Sequence, residues 1–152
     1  MKTLKAGDKA PNFSAKDQDG NTIILNDYKG KKLVVFFYPQ ANTPTCTVEA
    51  CNLRDHYKDL QDAGYEILGV SADSEKKQGN FKKKFNFPYP LLADVEKEVI
   101  HAFGVWGPKK FMGRLFDSIH RITFIINENG IIERVIDDVK SKEHAMQILA
   151  NS

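Results

Sequence analysis

Two cysteines, Cys46 and Cys51, stand in one short run, Thr43-Pro44-Thr45-Cys46-Thr47-Val48-Glu49-Ala50-Cys51. A thiol can attack an electrophile, exchange with a disulfide, or bind a soft metal. What surrounds the pair separates these chemistries. Thr43 suits a helix N-cap, Pro44 the first helical position and Gly64 the stop, so the segment from Thr43 to Ala63 reads as a helix. Cys46 then lies in the first turn, where amide N–H groups lack intrahelical partners and the helix dipole is positive. Such a setting favours a thiolate. Cys46, Ala50, Leu53, Tyr57 and Leu60 follow helical spacing along one face, which aims Cys46 at the interior.

Cys51 does not meet Cys46 on an intact helix. Five residues of ideal helix put the Cα atoms about 8.7 Å apart, with the side chains turned about 140° from one another. A disulfide needs Cα atoms within roughly 6.8 Å. A bond between the two therefore requires the first turns to unwind, and the spacing implies two states: a helix with free thiols and an unwound segment with a disulfide. Three other readings compete. Both cysteines can serve as small core hydrophobes. A zinc site built from Cys46, Cys51 and His56 would be an unusual ligand set. A thiol–disulfide oxidoreductase normally uses C-x-x-C, which closes without unwinding.

The elements that must hold this run follow from the surrounding pattern. Leu33 to Phe37 is apolar throughout and suits a central strand covered on both faces. Asn12 to Ala15 and Thr22 to Leu25 flank Asp19-Gly20 and read as an N-terminal β-hairpin. Tyr65 to Ser71 is a second buried strand, Ser74 to Phe85 a helix, Tyr89 to Ala93 a short strand and Glu96 to Phe103 a short helix. Gly104 to Ile119 reads as a long loop. Arg121 to Asn127 and Ile131 to Ile136 flank Glu128-Asn129-Gly130 as a further hairpin, and Ser141 to Ala150 closes the chain as a helix. Strands alternating with helices and ending in a hairpin argue for an α/β sandwich with a mixed central sheet.

The 152 residues have the length of one domain, expected to span 1–152. Apolar content of 41% and charged content of 28% are ordinary for a globular protein, and the net charge of +2 is too small to argue for nucleic acid or an anionic membrane. Met1-Lys2-Thr3-Leu4-Lys5 lacks the apolar stretch of a secretory signal, and no segment approaches the length of a membrane span. The expected compartment is cytoplasmic, where thiols stay reduced. The four histidines are scattered, with no partner at metal-ligand spacing, so neither metal nor cofactor is expected. Lys76-Lys77 and Lys82-Lys83-Lys84 read as a solvated helix face, with Phe81 and Phe85 on the buried side. Trp106, Phe111 and Met112 read either as packing under the long loop or as a substrate or partner surface.

Pro39-Gln40-Ala41-Asn42-Thr43-Pro44-Thr45-Cys46 resembles the P-x-x-x-T-x-x-C signature of peroxiredoxins. Cys51 stands where the bacterioferritin-comigratory, or peroxiredoxin Q, branch often carries its resolving thiol. Ala10-Pro11-Asn12-Phe13, Gly69-Val70-Ser71-Ala72-Asp73 and Arg121-Ile122-Thr123-Phe124-Ile125-Ile126 resemble further family segments in the same order, so the likeness spans nearly the whole chain. The branch commonly has Lys-Asp where this chain has Gln40-Ala41, and glycine where it has Thr45. The resemblance implies a thioredoxin-like fold and a thiol peroxidase acting on hydrogen peroxide and organic hydroperoxides. It implies a Cys46 sulfenic acid resolved by Cys51 into an intramolecular disulfide, recycling by thioredoxin or a related dithiol, and more often a monomer than a dimer. A redox-responsive binding or holdase protein is the rival of a different class.

Thiolate formation alone does not make such an enzyme fast. A thiol of pKa about 8.5 is roughly 7% ionised at pH 7.4, so full ionisation gains about tenfold. Lowering the pKa by about 2.5 units costs a similar factor in nucleophilicity, given a Brønsted slope of roughly 0.4–0.5. Rate must come from orienting the peroxide and stabilising its leaving oxygen. Arg121, at the head of an apolar strand, is a surface arginine by position alone; the resemblance assigns it a place beside Cys46. Thr43 and the first-turn amides are expected to complete the cradle, with Pro39 and Pro44 shaping the loop. Glu49, one turn beyond Cys46, is either an acid complementing the helix dipole or the group that orients Arg121.

Overall fold

The computed structural model describes residues 1–150, so the last two residues of the span expected as one domain lie outside it. Five strands form the central sheet: β3 (Lys32–Phe37), β4 (Tyr65–Ser71), β5 (Leu91–Ala93), β8 (Thr123–Ile126) and β9 (Ile132–Ile136). Their order is β5-β4-β3-β8-β9. β3, β4 and β5 run parallel, and β8 and β9 are antiparallel, as a mixed sheet requires. The N-terminal hairpin pairs β1 (Ser14–Lys16) with β2 (Thr22–Ile24).

Alternation along β3 divides the interior in two. Leu33, Val35 and Phe37 face a core shared with Phe13 and with Val99, Ile100 and Phe103 of α4 (Glu98–Phe103). Val34, Phe36 and Tyr38 face the opposite core. Helices α1 (Pro44–Asp55), α2 (Tyr57–Asp62), α3 (Glu75–Phe85) and α5 (His144–Leu149) lie on that second side, contributing Cys46, Ala50, Leu53, Leu60, Phe81, Ala145 and Ile148. A β3 with both faces buried explains why its sequence is a continuous apolar run rather than an alternating one.

Several expectations are corrected. The helix expected from Thr43 to Ala63 is two, because His56, at φ −109 and ψ 16, leaves helical geometry between them. The closing helix begins as a 3₁₀ turn over Ser141–Glu143. Arg121 precedes β8 rather than belonging to it. The segment from Gly104 to Ile119 is not a loop: β6 (Trp106–Phe111) and β7 (Arg114–Ile119) pair through six residues each. Met112 and Gly113 make the turn with φ of 51° and 79°, both in the left-handed region that a tight two-residue hairpin turn demands. Phe111 and Met112 are 65% and 86% exposed at its tip, whereas Trp106 packs against the core and lies beneath the Lys97 ammonium. The basic stretch of α3 is solvated as expected, save that Lys82 is half-buried and donates to the Phe87 and Tyr89 carbonyls.

Candidate active site

The site forms where the carboxyl end of β3 turns into α1. Tyr38 is anchored by its amide to Val70 O and by its hydroxyl to Gln78 Oε1. Pro39 follows, half-buried. The loop is tied to the end of β4 by Asp73, whose Oδ2 accepts from the Ala41 amide at 2.7 Å and from the Ser71 hydroxyl at 2.7 Å. Asn42 sits at φ 63°, a left-handed position that asparagine tolerates better than most residues. Thr43 is the N-cap and Pro44 the first helical residue, as expected. The Thr43 hydroxyl does not cap the helix, however; it turns back and donates to Gln40 O at 2.9 Å. The Thr43 oxygen thus keeps its acceptor capacity.

Cys46 is 2% exposed, and Cys51 is half-buried one and a half turns along the same unbroken helix. Both thiols are free. Burial pushes the Cys51 thiol up, opposed by the charge of Arg54. Arg121 closes the site from the sheet. It shares the parity of Thr123 and Ile125, both on the α1 side, and this aims its side chain at the helix. Its Nη2 donates to Cys46 Sγ at 3.2 Å, and its Nη1 donates to Glu49 Oε1 at 2.7 Å. One planar fork therefore spans a sulfur and a carboxylate.

Glu49 is fully buried and lies beyond the first turn of α1. Burial pushes its carboxyl up to about 7, even with the Arg121 charge and hydrogen bond pulling it down. Its Oε2 has no hydrogen-bond partner. His144 Nε2 lies 3.6 Å from it, too far for a good hydrogen bond. The sequence does not point to this histidine. Gln147 fixes its tautomer: Oε1 accepts from the Lys140 amide while Nε2 donates to Asp138 O, so His144 Nδ1, 2.8 Å from that Oε1, carries the proton. The bare Nε2 then accepts from the Thr123 hydroxyl at 2.8 Å. Burial, with Arg121 adding repulsion, holds His144 down at about 4, so it faces Glu49 as a neutral ring and the contact is no ion pair. The one signal available was its place at i, i+4 from Ile148 on the buried face of the closing helix.

The β6–β7 hairpin brings a second cation. Lys109, half-buried, donates to Ile119 O at 3.3 Å; burial and the charge of Arg121 push it down, while Cys46 pulls it up. A cleft beside the site is lined by Leu4, Lys109, His120, Arg121, Val135 and Asp137. Among the described residues, no three His, Cys, Asp or Glu side chains are grouped to hold a metal ion.

The Cys46 sulfur thus lies under the Arg121 guanidinium in the first turn of α1. The profile of the AhpC/TSA family matches residues 6–135. The chain belongs to that family. Peroxiredoxin Bcp of Escherichia coli strain K12 is 49% identical over 95% of this chain and 92% of its own. Peroxiredoxin Bcp of Bacillus subtilis strain 168 is 42% identical over 97% and 94%. Among solved structures, the bacterioferritin comigratory protein of Xanthomonas campestris superposes with a TM-score of 0.88 at 31% identity, covering 96% of each chain. This AhpC/TSA protein is thus a peroxiredoxin with a thioredoxin-like fold, and its activity is that of a thiol peroxidase; peroxiredoxins in general act on hydroperoxides and are recycled by a dithiol reductant. No helix among the described residues is long and apolar enough to cross a membrane.

Proposed function

We propose that Cys46 is the peroxidatic nucleophile and Cys51 the resolving thiol of this peroxiredoxin. The observation that carries the reading is the Arg121 fork, 3.2 Å from Cys46 Sγ and 2.7 Å from Glu49 Oε1. The thiolate attacks one peroxide oxygen. The S–O bond forms, the O–O bond breaks, and the other oxygen leaves as water or an alcohol after taking a proton. Arg121 and the open amides of the α1 first turn stabilise that departing oxygen. Thr43, whose hydroxyl proton is engaged by Gln40 O, accepts from the incoming peroxide O–H. Pro39 and Pro44 shape the loop around the sulfur, and Glu49 orients Arg121.

In the second step Cys51 attacks the Cys46 sulfenic acid. The S–S bond forms, the S–OH bond breaks, and hydroxide leaves as water with the Cys51 proton. The continuous helix through both residues supports a closure that needs unwinding. The substrates on this reading are hydrogen peroxide and organic hydroperoxides; the Xanthomonas relative is itself described as having alkyl peroxide reduction activity. Thioredoxin or a similar dithiol protein returns the disulfide to thiols, the protein acts as a monomer, and it works in the cytoplasm, where such reductants operate. The test is peroxide consumption by catalytic amounts of protein with thioredoxin and its reductase. Sustained turnover supports the reading. A single stoichiometric reaction that then stops overturns it in favour of a redox-responsive binding protein.

A further inference from the structure

Asn52, next to Cys51, makes two side-chain hydrogen bonds across the sequence. Its Nδ2 donates to Lys142 O at 2.9 Å and its Oδ1 accepts from the Ala145 amide at 2.8 Å. Both ends of one amide thus hold the second half of α1 against the C-terminal segment. Arg54 adds a third tie, donating from Nη1 to Phe85 O at 2.8 Å. The first half of α1 is held differently. Thr43 gives it no side-chain cap. Pro44, Thr45 and Val48 line an open cleft together with Lys140–Glu143, and Val48 is 39% exposed. Its polar anchors at the buried end are the Arg121 fork, on Cys46 Sγ and Glu49 Oε1, and the Tyr89 hydroxyl, which donates to Ala50 O at 2.7 Å; of these, the contact with Sγ is the one whose strength depends on an anionic sulfur.

We propose that Asn52 is a positioning residue for the resolving step: it holds the Cys51 end of α1 on the C-terminal helix, so that Cys46 travels to Cys51 rather than the reverse. The inference rests on the Cys46–Cys51 disulfide proposed above. Oxidation to the neutral sulfenic acid weakens the Arg121 contact and leaves the Asn52 bonds untouched. The unwinding therefore starts from Pro44 and stops at residue 52. A stationary Cys51 also lowers the conformational cost of closure, because the residues beside it need not be ordered anew. The ends balance as before: S–S forms, S–OH breaks, and water leaves.

The test has two arms on the full chain. Hydrogen exchange of reduced and peroxide-oxidised wild type should show protection lost on oxidation from Thr47 to Asp55, whose helical acceptors lie at residues 43–51, and retained at His56 and Ala145, which donate to Asn52 O and Asn52 Oδ1. Loss of protection at His56 and Ala145 as well overturns the proposal. In the second arm, Asn52→Ala keeps a good helix former at a half-buried position. It should leave sulfenic acid formation unchanged and slow disulfide closure about five- to tenfold, the factor for about one residue gaining backbone freedom. Asn52→Asp, which keeps the acceptor for Ala145, should fall between. Closure by Asn52→Ala within twofold of wild type overturns the proposal, since a purely structural tie would move stability and not this step. Peptide mapping of the oxidised wild type separates the two failures: absence of the Cys46–Cys51 bond defeats the underlying reading and this inference with it, whereas the bond present with unaltered closure defeats the role of Asn52 alone.

Discussion

Arg121→Ala removes the donor at 3.2 Å from Cys46 Sγ together with the one hydrogen-bonded partner of Glu49. Loss of one donor aimed at developing charge costs about 10²–10³ in rate, or roughly 3–4 kcal/mol. The effect on Glu49 could confuse this reading, so its sign matters. Without Arg121, nothing opposes the burial that already pushes the Glu49 carboxyl up to about 7, and the side chain stays protonated at neutral pH. The loss therefore does not come from a bare carboxylate repelling the thiolate. Arg121→Ala combined with Glu49→Gln should be as slow as Arg121→Ala alone. Arg121→Lys, a point charge that cannot span both partners, should fall between wild type and alanine. The assay is stopped-flow measurement of the second-order rate of Cys46 oxidation by hydrogen peroxide. A change below about threefold in Arg121→Ala, under 1 kcal/mol, refutes the reasoning. So does recovery of rate in the double variant, which would reduce Arg121 to a neutraliser of Glu49.

Cys46→Ser should abolish peroxidase turnover while circular dichroism shows a folded domain, because Cys46 bridges nothing structural. Glu49 and His144 contribute opposite pH dependences to stability. The native Glu49 carboxyl, at about 7 against an ordinary 4.5, binds more protons than in the unfolded chain, so its contribution falls as pH rises through that window. Native His144, at about 4 against 6.5, binds fewer, so its contribution falls as pH drops through that range. In wild type the slopes offset between about pH 4.5 and 6.5, each integrating to at most roughly 3 kcal/mol. Denaturant unfolding should therefore show Glu49→Gln gaining stability relative to wild type as pH rises from about 5 to 8, and His144→Gln gaining relative to wild type as pH falls from about 6.5 to 4. Equal pH profiles for all three proteins would contradict the assignment. Met112→Asn, at φ 51°, should stabilise the β6–β7 turn by at most about 1 kcal/mol, read as slower local amide exchange.

The parts of the fold that bury a continuous face were legible in the sequence. Leu33 to Phe37 announced a central strand because both its faces meet core, and Pro44 and Gly64 bracketed the α1–α2 region because their backbone chemistry acts locally. The β6–β7 hairpin was not legible. Gly107, Pro108, Lys109 and Lys110 break the period of two, and its strands pair mainly with each other, so no buried stripe marks them. Its turn also uses Met112 where asparagine or glycine would have signalled it. The site shows the same division. Cys46 and Thr43 follow from helix-start rules, whereas Arg121 by position alone reads as a surface residue and needed the family pattern. His144 lay outside both kinds of reasoning, because its meaning comes from Glu49 and Thr123, which the sheet and α1 bring to it from far along the chain.

Intact-mass and peptide analysis after one equivalent of hydrogen peroxide tests the central claim most directly. Wild type should lose two hydrogens and yield a Cys46–Cys51 disulfide within one chain, while Cys51→Ser should gain one oxygen on Cys46 and stop there. Dimers linked through Cys46, or two free thiols alongside undiminished thioredoxin-dependent turnover, would contradict the account and leave this protein a one-cysteine enzyme.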